Sequence, residues 1–230
     1  MLSHKIGIKN IVFVHGAWAD GSSWSKVIIK LQAKGFNVVA VQNPVTSLAD
    51  DVAATKRILA LQDGPVLLVG HSWGGVVITE AGNDPKVAGL VYVAAFAPGD
   101  GQSINDINKI PAPGLAEVKL DAGFLRLTPK GIAECFAQDL TVEEKHILFA
   151  VQGQTAASVF DEKISKAAWK TKPSWYVVAS DDRMILPKLE ESLAKTINAT
   201  TITVPSSHVA MLSQSTKVAD FIEQAALSLK

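Results

Sequence analysis

A serine between glycines is the residue of this chain best suited to act as a nucleophile. Ser72 lies in the run GHSWGG, residues 70–75, which follows an apolar run at 66–69 and precedes an apolar stretch with helical spacing at 76–81. This strand–turn–helix context is typical of a nucleophile elbow, in which a sharp turn exposes the serine hydroxyl at the end of the strand. Small neighbours let the helix pack against the strand. The pattern predicts a nucleophile; a plain glycine-rich turn is the alternative.

A serine hydroxyl is a weak nucleophile at neutral pH and needs a positioned base, which is itself oriented by a third group. Asp182 and His208 each follow a β-branched run, so both fall at the carboxyl ends of predicted strands, where an open parallel sheet gathers its active site. We predict Ser72 as nucleophile, His208 as base and Asp182 as orienting acid, in a chain order that serine hydrolases use. Asp181 is the alternative acid, with Asp182 then capping the turn. A surface role is the alternative for His208.

Two backbone N–H groups must face the negative charge that develops during acyl transfer. One belongs to the residue after the nucleophile, which is Trp73, and the other to the loop after an early strand. Ala17 fills the second position, because it follows His15 and Gly16 at the end of the first predicted strand. The sequence therefore predicts Ala17 and Trp73 as the donors of an oxyanion hole; an ordinary turn at His15 and Gly16 is the alternative.

The remaining histidines do not have the spacing of metal ligands. His4, His15, His71 and His146 form neither an H-E-x-x-H motif nor a paired set, which zinc sites ordinarily require. We predict no metal and no cofactor.

Short β-branched runs alternate with amphipathic stretches along the chain. Continuous rather than alternating hydrophobicity is typical of strands that are covered on both faces of a parallel sheet. The repeated order of strand and helix predicts an α/β fold with a doubly wound, mainly parallel sheet and helices on both faces. The predicted strands are 11–14, 38–41, 66–69, 90–93, 175–178 and 201–204, and the predicted helices are 24–33, 49–61 after an N-cap at Ser47, 189–197 and 218–229.

The 230 residues fit a single domain, 1–230, because α/β units of about this length commonly fold as one. From about 98 to 172 the strand–helix rhythm stops, and the sequence favours a Gly/Pro-rich loop followed by helices, without strands. Thr141 and Glu144 have the spacing of a capping box that opens one of these helices. We interpret this interval as a small helical cap inserted into the domain; a long crossover packed on the sheet is the alternative.

The composition points to a neutral small molecule as partner. Hydrophobic residues make up 48% and charged residues 19% of the chain, with 22 Lys+Arg and 22 Asp+Glu. Balanced charge without blocks of one sign predicts no nucleic-acid and no membrane partner. Cys135 is the single cysteine, and residues 1–5 lack the apolar core of a signal peptide. We therefore expect a cytoplasmic protein; no motif indicates its oligomeric state.

Four blocks of the sequence together carry a family resemblance: VFVHGAW at 12–18, GHSWGG at 70–75, SDDRMI at 180–185 and SSH at 206–208. They resemble the α/β-hydrolase superfamily, and within it small bacterial serine esterases similar to the plant methylesterase and hydroxynitrile-lyase group. The resemblance spans nearly the whole chain except the cap. It implies the α/β-hydrolase fold and, because an acid followed by Arg and aliphatic residues fits the family pattern, it implies Asp182 as the acid.

Members of this superfamily act on esters, lactones, thioesters, carbon–carbon bonds of diketones and cyanohydrins. The lyase branch carries Thr where this chain has Gly16, and Lys where it has Val209, so the resemblance argues against cyanohydrin cleavage. Dehalogenases use an aspartate nucleophile, and Ser72 argues against that chemistry. The resemblance leaves open ester hydrolysis, lactone or carbon–carbon bond hydrolysis by the same triad, and a ligand receptor built on the fold.

We predict hydrolysis of a small, largely apolar carboxylic ester through an acyl-enzyme. Small-molecule pockets are mostly apolar, and aromatic residues near the motifs and in the cap are available to line one, although such residues are more often plain core. The predicted substrate-binding residues are Trp18, Phe96, Phe124 and Phe136; Trp24, Trp73 and Phe149 are also available.

Overall fold

Six parallel strands form one sheet within residues 7–229, the part of the chain that this computed structural model describes. Residues 1–5, on which the expectation of no signal peptide rests, lie outside it. The prediction of an α/β fold around a parallel sheet is confirmed, and the strand order is β2-β1-β3-β4-β8-β9. The strands are β1 (Asn10–Val14), β2 (Asn37–Val41), β3 (Val66–Ser72), β4 (Val87–Ala95), β8 (Ser174–Ala179) and β9 (Thr200–Val204).

The central strands are the most apolar because both of their faces are covered. Every residue of β1, β3 and β8 is buried, whereas the edge strands β2 and β9 are partly exposed. The parallel register pairs Val12 with Val39 on one side and Leu68 on the other. All six predicted runs form strands, and continuous hydrophobicity fits burial on both faces for the central ones.

Helices pack in two groups against the sheet. Helix α1 (Ser25–Ala33) packs against α9 (Ser215–Ser228), and α2 (Leu48–Ala60) packs against α3 (Trp73–Ala81). Ser47 caps α2 as predicted, its hydroxyl accepting a hydrogen bond from the Asp50 N–H at 3.0 Å. The helices outside the segment between β4 and β8 are α1 (Ser25–Ala33), α2 (Leu48–Ala60), α3 (Trp73–Ala81), α7 (Pro187–Thr196), α8 (Ala210–Ser213) and α9 (Ser215–Ser228), and a 3₁₀ turn, Gly21–Trp24, precedes α1.

The segment between β4 and β8 holds strands that the sequence analysis does not predict. β5, β6 and β7 form a small antiparallel sheet, and Thr141 and Glu144 form the predicted capping box. The elements are α4 (Ile104–Ile107), β5 (Val118–Asp121), β6 (Phe124–Leu127), α5 (Pro129–Gly131), α6 (Val142–Val151) and β7 (Thr155–Ala156), with 3₁₀ turns at Pro113–Glu117, Ala157–Asp161 and Ala168–Lys170 and a π-helical turn at Ile132–Phe136.

The hairpin of β5 and β6 has a local cause. Ala122 and Gly123 connect the strands with φ of 47° and 84°, and positive φ at both central residues is the two-residue turn that fits the twist of a hairpin. Each strand has only four residues, β5 is largely exposed and β6 is largely half-buried, so their hydrophobic signal is weak. Among the described residues, no helix has the length and hydropathy needed to cross a membrane.

Candidate active site

Ser72 ends β3 and precedes the first residue of α3. Its backbone has φ 53° and ψ −120°, a conformation that costs a non-glycine residue roughly 1–3 kcal/mol and persists only where the surroundings impose it. The surroundings are the strand on one side and the helix on the other. This is the geometry of a nucleophile elbow, and it places the Ser72 side chain in the wall of a pocket.

The glycines around Ser72 are required by close backbone approach. A Cβ on Gly70 would lie 2.5 Å from the Gly74 carbonyl oxygen, and a Cβ on Gly16 would lie 2.7 Å from the Cβ of Ser72. Real Cβ atoms do not approach other atoms so closely. The loop after β1 can therefore lie against the serine, and α3 against β3, because these positions lack side chains.

The structure brings Asp182 to His208. Asp182 Oδ2 lies 2.6 Å from His208 Nδ1, and both side chains are buried. The other carboxylate oxygen accepts hydrogen bonds from the N–H groups of Met184 at 2.6 Å and Ile185 at 3.0 Å. Asp181, the alternative acid, is exposed and accepts a hydrogen bond from the neighbouring Ser180 hydroxyl. The carboxylate at Asp182 holds the imidazole with its Nδ1 facing the acid and its Nε2 directed away from it.

Ser72 and His208 line the same pocket. Within residues 7–229 no hydrogen bond joins the two side chains directly. Catalytic hydrogen bonds are often long in ligand-free enzymes and tighten when substrate binds. Both side chains can therefore contact the same molecule when one binds in this pocket.

A second histidine supports the loop that carries His208. His71 is fully buried, and its Nε2–H donates to the His208 carbonyl oxygen at 2.9 Å. Burial, with a smaller effect from a charge on His208, holds the pKa of His71 well below its usual range. The neutral ring lies between the rings of Trp24, Phe136 and His208. His71 therefore connects the turn at Ser72 to the loop that carries His208.

A buried glutamate lies next to the acid. Glu190 has no exposed surface, and its carboxyl group accepts a hydrogen bond from the Ala179 N–H at 3.0 Å. Burial, and then the charge of Asp182, raises the pKa of Glu190 well above its usual range. Glu190 therefore lies against the same strand end as Asp182, in a setting that disfavours a second charged carboxylate there.

The two predicted oxyanion-hole residues flank Ser72. Ala17 lines the pocket and follows Gly16, whose backbone lies against the serine. Trp73 is the first residue of α3, and the first N–H groups of a helix have no acceptor within that helix. Its indole is turned away from the pocket and donates to Asp51 at 2.7 Å.

The pocket has a volume of about 300 Å³. Trp18 and Phe96, two of the predicted substrate-binding residues, lie in its wall, and Phe124 and Phe136 do not. The wall also contains residues that the sequence analysis misses, most of them from the segment between β4 and β8. Its lining residues are Ala17, Trp18, Ser72, Phe96, Ile104, Asn105, Asn108, Leu115, Val118, Leu125, Ala157, Phe160, Met184, Ile185 and His208.

Phe124 and Phe136 are outside the pocket for different reasons. Successive side chains of a strand point to opposite faces, and in β6 it is Leu125 that lines the pocket, so Phe124 faces away. Phe136 ends the π-helical turn and packs behind the triad, its ring centroid 5.3 Å from that of His208. Hydrophobicity identifies both as side chains that pack against the core, but strand register and turn geometry decide whether they face the pocket.

Within the described part of the chain, no cluster of three His, Cys, Asp or Glu side chains has a geometry suited to a metal ion. The fold and site combine a parallel sheet, a serine with positive φ at the end of β3, and a buried histidine–carboxylate pair whose histidine lines the same pocket. The model of the alpha/beta hydrolase family matches residues 11–221, and the chain belongs to this family.

Individual relatives agree with this assignment. Probable hydrolase R7 of Phoma sp. is 25% identical, over 94% of this chain and 97% of R7. Methylesterase 7 of Arabidopsis thaliana is 35% identical, over 45% of this chain and 44% of that protein. The crystal structure of a pyrethroid hydrolase from Sphingobium faniae JZ-2 has a TM-score of 0.83 and 21% identity, over 95% of this chain and 97% of that one. The fold is therefore shared over nearly the full length.

Proposed function

We propose that this chain hydrolyses small, largely apolar carboxylic esters with Ser72 as nucleophile, His208 as base and Asp182 as orienting acid. The observation that carries the proposal is the 2.6 Å hydrogen bond between Asp182 and His208 beside a pocket that Ser72 also lines. The chain is a carboxylic ester hydrolase, as relatives named methylesterase and carbendazim hydrolyzing esterase support.

The reaction proceeds in two acyl-transfer steps. Ser72 Oγ attacks the ester carbonyl carbon while His208 Nε2 takes its proton, and the carbonyl oxygen becomes an oxyanion facing the N–H groups of Ala17 and Trp73. The carbon–oxygen bond to the alcohol then breaks, and the alcohol leaves with the proton from His208. Water attacks the acyl-enzyme, His208 takes its proton, and the serine leaves with that proton as the acid is released.

Asp182 acts through the imidazole. Its hydrogen bond keeps the Nδ1 proton in place, which leaves Nε2 free to accept the serine proton. The carboxylate also stabilises the imidazolium that forms, because buried opposite charges interact more strongly than exposed ones.

The pocket walls support a small apolar substrate. Ile104, Leu115, Val118, Leu125 and Phe160 contribute aliphatic and aromatic surface around the serine. A second cavity of about 550 Å³ adjoins this one, since Asn108 lines both. Its walls include Ile107, Ile110, Leu186 and Leu189, so an ester with a longer apolar chain would extend into it.

Residues 98–172 serve as the cap of this site in our proposal, since the segment supplies eight of the fifteen residues that line the pocket. A cytoplasmic location, and the absence of nucleic-acid and membrane partners, remain predictions from composition.

The test is hydrolysis of p-nitrophenyl esters of increasing acyl length by the wild type and by Ser72→Ala. We expect turnover by the wild type and a loss of at least about 10⁴-fold in Ser72→Ala, as for other triad enzymes. Ser174→Ala, which changes a buried serine at the opposite end of strand β8, is the matched control and keeps wild-type turnover. Circular dichroism and the thermal midpoint verify the fold of each variant.

Undiminished turnover by Ser72→Ala contradicts the proposal. Tight binding of the esters without turnover by the wild type contradicts it as well, and assigns the pocket to a receptor.

A further inference from the structure

A buried carboxylate that takes no part in the triad lies behind the nucleophile turn. Asp51 belongs to α2, and its side chain has no exposed surface. It accepts three hydrogen bonds: from Trp73 Nε1 at 2.7 Å, from Asn43 Nδ2 at 3.0 Å and from the Val45 N–H at 2.8 Å. A buried ionisable group costs stability unless it is fully hydrogen-bonded, so this arrangement is specific to a carboxylate.

Two of these donors belong to opposite sides of the oxyanion hole. Trp73 supplies one backbone N–H of the hole, and its indole is the Asp51 donor. Asn43 Nδ2 also lies 3.4 Å from the His15 carbonyl oxygen, at the start of the loop that leads to Ala17. Asp51 therefore connects the two backbone segments through one buried carboxylate.

The third donor to Asp51 is the backbone N–H of Val45. Val45 has φ 54°, a conformation that a β-branched residue rarely adopts. The hydrogen bond from its N–H to Asp51 Oδ1 satisfies this strained backbone, and its carbonyl accepts from the Ala156 N–H of β7 at 2.9 Å. Burial raises the pKa of Asp51, and the hydrogen bonds from Trp73 and Asn43 oppose that rise.

We infer that Asp51 is a positioning residue of the oxyanion hole: its hydrogen bonds with Trp73 and Asn43 hold the backbone of Trp73 and the loop 15–17 at the spacing the oxyanion requires. The inference rests on the ester hydrolysis proposed above. Asp51 is not among the residues that line the pocket. It acts because a preorganised donor pair stabilises charge that develops in the transition state, and displaced donors do not.

The test compares Asp51→Asn, Trp73→Phe and the double variant on p-nitrophenyl butyrate. An asparagine has one acceptor oxygen and would turn an NH₂ group toward a donor. Trp73→Phe keeps the backbone N–H and removes the indole donor. We expect each single variant to lower kcat about 10-fold to 100-fold, the scale of a weakened oxyanion donor, with KM changed less than about threefold. The double variant should be no slower than Asp51→Asn, because the two changes remove the same hydrogen bond, that between Trp73 Nε1 and Asp51.

A trifluoromethyl ketone adds a readout that a merely structural role would not change. It binds the serine as an anionic adduct, so its affinity should fall in proportion to kcat/KM, while the affinity for the butyrate product stays constant. The matched control is Thr79→Val on α3, which removes a buried hydrogen bond to Tyr92 and should lower the thermal midpoint without lowering kcat.

A wild-type kcat in both single variants overturns the inference and leaves the proposed function intact. A loss of turnover in Ser72→Ala together with unchanged ketone affinity in Trp73→Phe has the same meaning, even where Asp51→Asn fails to fold. Absence of ester turnover in the wild type overturns the proposed function itself.

Discussion

The carboxyl edge of the sheet and the segment 98–172 build the same pocket by different means. At the sheet edge, Ser72 ends a strand of the sheet, and Asp182 and His208 each follow one. Their backbone is fixed by glycine contacts and hydrogen bonds. In segment 98–172, short strands, short helices and 3₁₀ turns supply eight of the fifteen residues that line the pocket. In the proposed function, the first region holds the reacting groups and the second surrounds the substrate.

This difference separates chemistry from specificity. A reaction that needs three groups in one geometry tolerates little displacement, so its residues lie on the most constrained part of the fold. A pocket wall needs shape and hydrophobicity, which many side chains supply. Changes at the sheet edge should therefore reduce turnover of every ester, whereas changes in the segment should alter which ester is preferred.

The largest expected effect distinguishes the two adjacent acids. Asp182→Asn should reduce kcat by about 10⁴-fold, because the amide no longer favours the correct histidine tautomer. Asp181→Asn, at the exposed neighbouring position, should stay within about twofold of the wild type. Steady-state hydrolysis of p-nitrophenyl butyrate measures both. Equal losses in the two variants would contradict the assignment of Asp182.

The next largest effect is expected on stability, at a glycine that allows close packing of the backbone. A Cβ on Gly74 would collide with the Val14 carbonyl oxygen, so Gly74→Ala should destabilise the protein by about 3 kcal/mol through forced separation of α3 and β1. Gly123 lies in the hairpin turn with φ 84° and open space around it, so Gly123→Ala should cost only about 1 kcal/mol of conformational energy. Urea unfolding compares them, and a larger loss at Gly123 would contradict the comparison.

The same contrast explains what the sequence predicts and what it does not. The runs that form β3 and β8 are continuously apolar because both faces are covered, and Gly70 is required by its contact with Gly74, four residues along the chain. Such local and periodic signals are readable in one sequence. The strands, the helix cap at Ser47 and the positions of the candidate triad at strand ends follow from them.

The wall of the pocket depends on contacts between distant residues. Phe124 pairs with Ala156, and Trp18 Nε1 donates to the Leu125 carbonyl oxygen across 107 positions. Whether Phe124 or Leu125 faces the pocket is decided by the register of β6, which a four-residue strand encodes weakly. Phe160 enters the wall from a 3₁₀ turn without hydrophobic periodicity. Leu125 and Phe160 therefore could not be identified as pocket residues without the tertiary structure.

The free energy of unfolding should also decrease at acidic pH, because of a histidine at the sheet edge. Burial lowers the pKa of His71, so below about pH 6.5 the unfolded chain binds a proton that the folded chain does not. Stability is therefore lost as the pH falls from about 6.5 toward the lower pKa of the folded state. His71→Gln, whose amide can still donate to the His208 carbonyl, should lose about 1–2 kcal/mol less than the wild type between pH 7 and 5.

The measurement is the free energy of unfolding in urea at each pH. His146→Gln removes an exposed imidazole of α6 and should leave the pH dependence unchanged. A wild-type pH dependence in His71→Gln would show that His71 does not resist protonation in the folded protein.

The smallest effect is expected in segment 98–172, at two neighbouring residues of β6. Leu125 lines the pocket and Phe124 does not, although both are half-buried in β6. Leu125→Ala should lower kcat/KM for p-nitrophenyl butyrate about fivefold, since roughly 1 kcal/mol of apolar contact is lost, while kcat/KM for the acetate changes less because a shorter acyl chain leaves that part of the wall unused. Phe124→Ala should leave the ratio of kcat/KM for the two esters unchanged, even if it lowers the thermal midpoint.

An equal loss of kcat/KM with both esters in Leu125→Ala would mean that the segment supports the reacting groups rather than the substrate. The separation between sheet edge and segment 98–172 would then not hold.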